Sequence, residues 1–316
     1  MSELLNRLLQ DFVSEEESKN IDNRFIWSLQ RIIASQKLSL TPRRCTINVS
    51  TRKSQEYAHQ FLRRLNRNYD DYFTYLLSYG RIQIYDSAKH PNKLSQMVAS
   101  PYGKMIHIYE TRTIEDAYTY VHEMMHDWNC FEFSPTETWQ LMTECFSILA
   151  ENLERDDMEK HNPCPEYRKN KIATYYALRE RAIILGFELE LIDTYLKYGC
   201  IEDDRLFQII DSKRGYERDV VLMHLNWIDE NEELRFDSLQ RDVIGGVMAS
   251  YMHGRILEEP KRVEEFIEFN NHCNEIPFLD LLRMLDLEVE DESSWILSQK
   301  SLQTLEKSYQ KELKSL

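Results

Sequence analysis

Hydrophobic residues recur at helical spacing along most of this chain. The pattern begins within residues 1–35, where leucine, isoleucine and phenylalanine repeat every three or four positions, and it returns over 54–68. Beyond residue 113 nearly the whole chain keeps this period. The pattern predicts further helices at about 113–130, 137–155, 168–197, 216–230, 236–257, 261–272 and 293–314.

Three short segments instead alternate apolar and polar positions and carry β-branched residues, which is typical of strands. They span 44–50, 81–86 and 104–110. We therefore predict a mainly α (α+β) fold, in which a small sheet of three or more strands precedes an all-helical C-terminal half. The two prolines within 156–167 mark the best internal boundary. It divides the chain into an α+β part, 1–155, and a helical part, 156–316, that closes a cleft, unless both form one continuous domain.

Composition removes several classes of function. Glycine occurs only 8 times in 316 residues, and no glycine-rich phosphate-binding loop is present, so nucleotide chemistry lacks its usual sequence support. The formal net charge of −15 would repel nucleic-acid phosphates, so no nucleic-acid partner is expected.

The cysteines and the N-terminus indicate the cellular compartment. The six cysteines form no C-x-x-C pair, so they are expected to be reduced thiols rather than a disulfide or zinc-knuckle framework. The first residues lack the basic and apolar regions of a signal peptide, and no run is long and apolar enough to span a membrane. We expect a cytoplasmic protein, with export by a dedicated secretion system left open.

The strongest chemical signal is the sequence HEMMH at residues 122–126. On a helix, His122 and His126 project from nearly the same face, where two imidazole nitrogens can bind one Zn²⁺. Glu123 lies one position further on and can act as general base toward a water molecule that the metal activates. Chance alone would produce H-E-x-x-H in roughly three of a hundred such chains, so its context has to support the assignment.

The context supplies a third ligand. Glu144 lies on the next predicted helix, eighteen residues beyond His126, and a helical hairpin would return it to the metal. Its helix is apolar on most sides, and a buried carboxylate there needs a partner. The set His122, His126 and Glu144 would leave a fourth position open for water. The predicted strand 104–110 precedes this helix pair, as an edge strand that pairs with an extended peptide would.

Residues 113–126, TIEDAYTYVHEMMH, resemble the active-site helix of the thimet oligopeptidase and oligoendopeptidase F family, which has a T-x-x-D-x-x-T-x-x-H-E-x-x-H run. The family's ligand helix reads E-x-x-S-x-x-x-E, and Glu144, Ser147 and Glu151 match it. The resemblance covers about residues 100–155 and implies a gluzincin zinc site with Ser147 and Glu151 orienting the ligand histidines. The chain departs from the family in its length, which is about half as great, in Met125 where glycine is usual, and in a shorter gap before Glu144.

A peptidase also needs a donor for the oxyanion that forms on the substrate carbonyl. Tyr251 and His253, at the end of an apolar helix, are the candidates chosen here, and each could equally be a core residue. Further candidates with ordinary structural alternatives are His224 and Tyr216 for the oxyanion, Asp127 for orienting His126, and His107 for lining the cleft.

The leading hypothesis is a zinc metallopeptidase with one Zn²⁺ per chain and a peptide or protein substrate. Nitrogen and oxygen ligands also accept Mn²⁺ or Co²⁺, so the identity of the metal is not fixed by the sequence. Two alternatives remain: a peptidase-like interaction module without turnover, and a protease dedicated to one protein target, as in a toxin or secreted effector.

Overall fold

The computed structural model describes residues 1–16, 47–91, 93–100, 103–129, 137–161 and 165–272, together with the isolated positions 280 and 283. Within them, ten α-helices surround or follow one small sheet. The first three are α1 (Ser2–Glu16), α2 (Thr51–Leu65) and α3 (Arg67–Ser78). After the sheet come α4 (Glu115–Asn129), α5 (Glu137–His161), α6 (Pro165–Tyr198), α7 (Asp203–Ser212), α8 (Tyr216–Asn231), α9 (Phe236–Glu258) and α10 (Arg262–His272).

The sheet has three strands: β1 (Ile82–Asp86), β2 (Gln96–Ser100) and β3 (Gly103–Glu110). Their order is β1-β3-β2, with β3 parallel to β1 and antiparallel to β2. The prediction of a mainly α protein with a small sheet is confirmed. The prediction that 104–110 is an edge strand is wrong, because this strand lies in the middle and β2 forms the edge.

Two hydrophobic cores hold these elements together. One packs α2, α3 and the sheet against α4, with Phe73, Ile106 and Val121 at its centre. The other is larger and joins α1 to the helices from α5 onward, with Leu9 and Met248 fully buried. Helix α5 belongs to both, because Ala150 packs in the first core and Leu149 in the second. This position lets α5 present residues toward α4 and α9 at once.

Several predicted elements differ from the structure. The helix predicted over 54–68 is two helices, since Asn66 adopts an extended backbone and its side chain accepts a hydrogen bond from Asn68 N–H, starting α3. Strand β2 and helix α7 were not predicted. Of the strand predicted over 44–50, the described residues 47–50 form only an isolated bridge between Asn48 and Thr113. The helix predicted over 293–314, and most of that within 1–35, lie outside the described residues.

Helix α5 continues beyond the expected boundary to His161, and α6 begins at Pro165. The division of the chain near residue 155 therefore falls inside a helix, and it stays a prediction. In the described part of the chain, no helix is long and apolar enough to cross a membrane.

Candidate functional site

Helix α4 carries the HEMMH residues, and its start is anchored from the sheet. The Asp116 carboxylate accepts hydrogen bonds from the backbone N–H and the hydroxyl of Thr111, each at 2.9 Å. Glu115 and Asp116 also place negative charge in the first turn, where the helix dipole favours it. The sequence just after β3 therefore fixes where α4 begins and so which way its histidines point.

His122, His126 and Glu144 converge on one point between α4 and α5. The Nε2 atoms of the two histidines lie 2.8 Å apart. The Glu144 carboxylate oxygens lie 3.4 Å from Nε2 of His122 and 3.5 Å from Nε2 of His126. Each of these three side chains is less than a quarter exposed.

The outer nitrogens of both histidines face residues of α5. Nδ1 of His122 lies 2.7 Å from a carboxylate oxygen of Glu151, and Nδ1 of His126 lies 3.2 Å from the hydroxyl of Ser147. Arg155 in turn donates to Glu151 at 2.7 Å. The structure thus places Ser147 and Glu151 where they hold each imidazole in orientation and leave both Nε2 atoms directed inward.

These distances suit one small cation. A tetrahedral ion about 2.0–2.1 Å from each donor separates the donors by about 3.3–3.4 Å. The two nitrogen–oxygen separations, 3.4 and 3.5 Å, match this value, while the two Nε2 atoms lie closer together, at 2.8 Å. Two inward-facing imidazole nitrogens beside a carboxylate also need positive charge between them. His122, His126 and Glu144 therefore fit a metal of the zinc type, with two nitrogens and one oxygen as donors.

The pKa values of these residues show the same need for positive charge. Burial alone lowers the pKa of His122, but contacts with Glu144 and Glu151 outweigh burial and raise it well above its usual range. Burial raises the pKa of Glu144, but its hydrogen bond with His122 and the charge of His126 prevail and lower it to about 2.

Glu123 lies beside the ligand set without belonging to it. It is 6% exposed and lies near the backbone of Met97 in β2. Burial, opposed by the charge of His122, raises the pKa of Glu123 to about 7. A carboxylate of this kind can accept and return a proton near neutral pH.

The site opens into a cavity of about 620 Å³, the central cavity. Its lining includes the candidate metal ligands, residues 94–97 and parts of α6 and α9. A second cavity of about 500 Å³ shares Leu94, His122 and Glu123 with it. A third, of about 460 Å³, shares Arg235 and Arg241. The three cavities adjoin through these shared residues, and the candidate metal ligands lie within the resulting cleft.

The two candidate oxyanion donors, Tyr251 and His253, do not lie at this cleft. Tyr251 and His253 are each 2% exposed and are absent from the described lining of the central cavity. The Tyr251 hydroxyl accepts a hydrogen bond from Arg255 at 2.7 Å, and His253 Nε2 lies 2.5 Å from Asp156. Both side chains are buried away from the cleft, so the geometry gives their proposed role no support.

The other candidates also lie elsewhere. Buried Asp127 accepts a hydrogen bond from Tyr72 and is not seen to orient His126. His224 pairs with buried Glu188 at 2.7 Å. His107 lies against the Tyr85 ring, and Tyr216 donates to Glu180. None of the four appears among the described residues that line the central cavity.

Sequence reasoning missed two parts of the site. The first is β2, where Gln96 and Met97 line the central cavity near Glu123. The second is a group of cavity arginines, Arg181, Arg235 and Arg241. Neither left a signal, because the strand is short and isolated arginines on helices are normally solvated.

Comparison with known proteins supports the fold. No protein-family model matches the chain, and none of the curated proteins does. Two crystal structures are similar: a "putative peptidase" from Chlamydophila abortus, with TM-score 0.60 and 15% identity, and a "putative oligoendopeptidase F" from Bacillus anthracis, with TM-score 0.58 and 13% identity. The alignments cover 97% and 96% of this chain but only 56% of each neighbour, so the chain spans little more than half their length. The chain therefore has a peptidase-like fold.

Proposed function

We propose that this chain is a zinc-dependent metallopeptidase of the gluzincin type, with His122, His126 and Glu144 as ligands and Glu123 as general base. The observation that carries the proposal is the convergence of three side chains whose nitrogen and oxygen atoms lie 2.8–3.5 Å apart, with Glu123 buried beside them. A zinc ion held there supplies Lewis acidity, which polarises a carbonyl and lowers the pKa of water.

The chain's own residues account for the remaining chemistry. Glu123 accepts the proton of the attacking water and returns it to the amine that leaves the cleaved bond. Its burial beside the metal ligands and near the Met97 backbone limits where the carboxylate can lie during both transfers. Glu151 and Ser147 hold the histidine rings, so the ligand set needs little rearrangement during the reaction.

Strand β2 gives the substrate a place to lie. It forms the edge of the sheet, and no other strand pairs with its outer side in the described part of the chain. Residues 94–97 line the cavity that contains the metal ligands. An extended peptide added to this edge would pass the candidate metal site, with side chains entering the adjoining cavities.

The test is cleavage of a mixed peptide library, read by mass spectrometry, by the wild type and by Glu123→Gln. A suitable control is Glu268→Gln, which makes the same chemical change at an exposed position on α10. We expect the wild type and the control to cleave the same bonds. Glu123→Gln should bind zinc normally yet lose at least ~100-fold in rate, the size of a general-base contribution. Equal cleavage by Glu123→Gln, or absence of stoichiometric zinc, would refute the proposal.

The absence of Tyr251 and His253 from the described lining of the cleft favours a second candidate, a protease restricted to one protein target or a binding module. If the wild type binds zinc but cleaves no library peptide, the search moves to whole proteins incubated with wild type and Glu123→Gln. Cleavage of one protein by the wild type alone identifies a dedicated protease. Binding of a protein by both, without cleavage, identifies a module.

A further inference from the structure

Three arginines line the central cavity together with the candidate metal ligands. Arg181 comes from α6, Arg235 directly precedes α9, and Arg241 lies in the second turn of α9. The chain as a whole carries a net charge of −15, and no lysine occurs among the described residues that line this cavity. Three guanidinium groups on one cavity therefore offer an anionic group a place to bind in an otherwise acidic protein.

Carboxylates line the same cavity, and most of them surround the candidate metal site. Among the described lining residues they are Asp242, the candidate ligand Glu144, and Glu123 and Glu151 beside the ligand histidines. Glu144 and Glu151 contact the histidines. Asp242 lies 3.3 Å from Arg181, and a guanidinium has five N–H donors, so this pair leaves donors for a second carboxylate.

Arg235 is also held in place. The guanidinium of Arg235 lies over the ring of Trp227, 5.2 Å from its centre, and the backbone N–H of Arg235 donates to buried Glu188 at 2.8 Å. Preorganised arginines form strong, charge-assisted contacts with carboxylates. The third cavity, beyond Arg235 and Arg241, carries Asp11, Glu232 and Glu233. Those acids would repel an anion, so it is favoured on the central side.

We propose that Arg181, Arg235 and Arg241 bind a carboxylate of the peptide substrate and so determine which peptides this site accepts. The inference rests on the proposed function. The carboxylate is either the free C-terminus of the peptide or an acidic side chain near the bond that is cleaved. Both present the same planar anion to a guanidinium, and the experiment distinguishes them.

Binding is measured first, in the Glu123→Gln background with zinc present, so that no turnover is needed. Fluorescently labelled peptides of one sequence are prepared with a free or an amidated C-terminus. A second pair has blocked ends and differs only by internal Glu or Gln. We expect one carboxylate form to bind roughly tenfold to a hundredfold tighter than its neutral partner. Preference for the free acid identifies the C-terminus, and preference for internal Glu identifies a side chain.

Variants then link the preference to the arginines. Arg235→Gln and Arg241→Gln should each weaken binding of the carboxylate peptide and leave its neutral partner little changed, whereas Arg241→Lys should retain part of the preference. The matched control is Arg218→Gln, which removes the same charge from an exposed position on α8 and should bind as the parent does. Circular dichroism of each variant confirms folding.

Equal binding of charged and neutral peptides, or no peptide binding at all, would overturn the inference. Equal losses of binding affinity for the charged and the neutral peptide in the arginine variants would also overturn it, because they would indicate a general structural or oxyanion role for the arginines. If the carboxylate preference is present but wild type cleaves nothing, the proposed function fails while the inference on recognition stands. In an active enzyme, the same variants should raise KM for the carboxylate peptide more than they lower kcat.

Discussion

Gly245 sets the distance between α9 and the ligand helix α5, and its replacement by alanine should weaken metal binding. A Cβ atom at Gly245 would lie 2.5 Å from Cβ of Glu144 and 2.9 Å from the backbone nitrogen of Cys145. Ordinary contacts at such a position begin at 3.4 Å, so the two helices must move apart by about 1 Å. Because two of the close atoms belong to the α5 backbone, rotation of a side chain cannot relieve the contact.

The magnitude follows from two opposing terms. Overpacking of a close helix contact costs about 1–3 kcal/mol, while alanine gains about 1 kcal/mol over glycine in helix propensity. The free energy of unfolding should therefore fall by up to about 2 kcal/mol. A displacement of Glu144 by about 1 Å exceeds the tolerance of a metal site, about 0.5 Å. We expect zinc affinity to drop at least about tenfold.

Gly246→Ala is the matched control. It adds the same methyl group to the same helix, but its Cβ would meet only side-chain atoms of Leu178, the nearest at 2.5 Å. Leu178 can rotate away, so zinc affinity should stay at the wild-type level. Zinc affinity is measured by competition with a chromophoric chelator, and stability by urea unfolding of the metal-free proteins. Wild-type zinc affinity in Gly245→Ala, or equal losses in both variants, would refute the reasoning.

Two further predictions concern buried carboxylates of α5. Glu151→Gln removes the charge 2.7 Å from Nδ1 of His122 and should lower zinc affinity roughly tenfold in the same competition assay, whereas exposed Glu268→Gln should not. Glu154 is fully buried, and burial raises its pKa well above the ordinary 4.5 despite the nearby charge of Arg155. Because the folded state resists its ionisation, stability is lost as pH rises above 4.5. Above pH 4.5, the free energy of unfolding of Glu154→Gln should therefore exceed that of the wild type by a difference that grows by about 1.4 kcal/mol per pH unit, until the pH passes the pKa of Glu154 in the folded state. Below pH 4.5 the two proteins should differ least in stability. Urea unfolding at pH 4, 6 and 8 measures this difference in the free energy of unfolding. A difference that does not increase with pH would contradict this account.

The candidate metal ligands could be identified from the sequence because their relation is mostly local. Spacing along one helix sets the relative direction of His122 and His126, and it places Glu123 beside them. Glu144 required one further step, a hairpin between consecutive helices. The match of Ser147 and Glu151 to a known pattern identified two residues that the structure places beside the histidines.

Tertiary structure alone decided the rest of the site. Tyr251 and His253 are candidates from the sequence only because a peptidase needs an oxyanion donor and they lie at the end of an apolar helix, and helical period cannot tell which neighbour each side of a helix contacts. In the folded chain both side chains are buried away from the cleft. The order of the strands was equally hidden, because pairing depends on contacts between segments and not on the pattern within one.

The cavity arginines show most clearly that a sequence pattern does not reveal contacts between distant helices. Arg181 and Arg241 are sixty residues apart in sequence, and their only shared property there is their charge. They meet in one cavity because α6 and α9 both pack against α5. The sequence by itself thus determined the local chemistry, a helix able to bind metal with a base beside it. The packing of distant helices decided which groups face the substrate, since no local spacing encodes contacts made across the core.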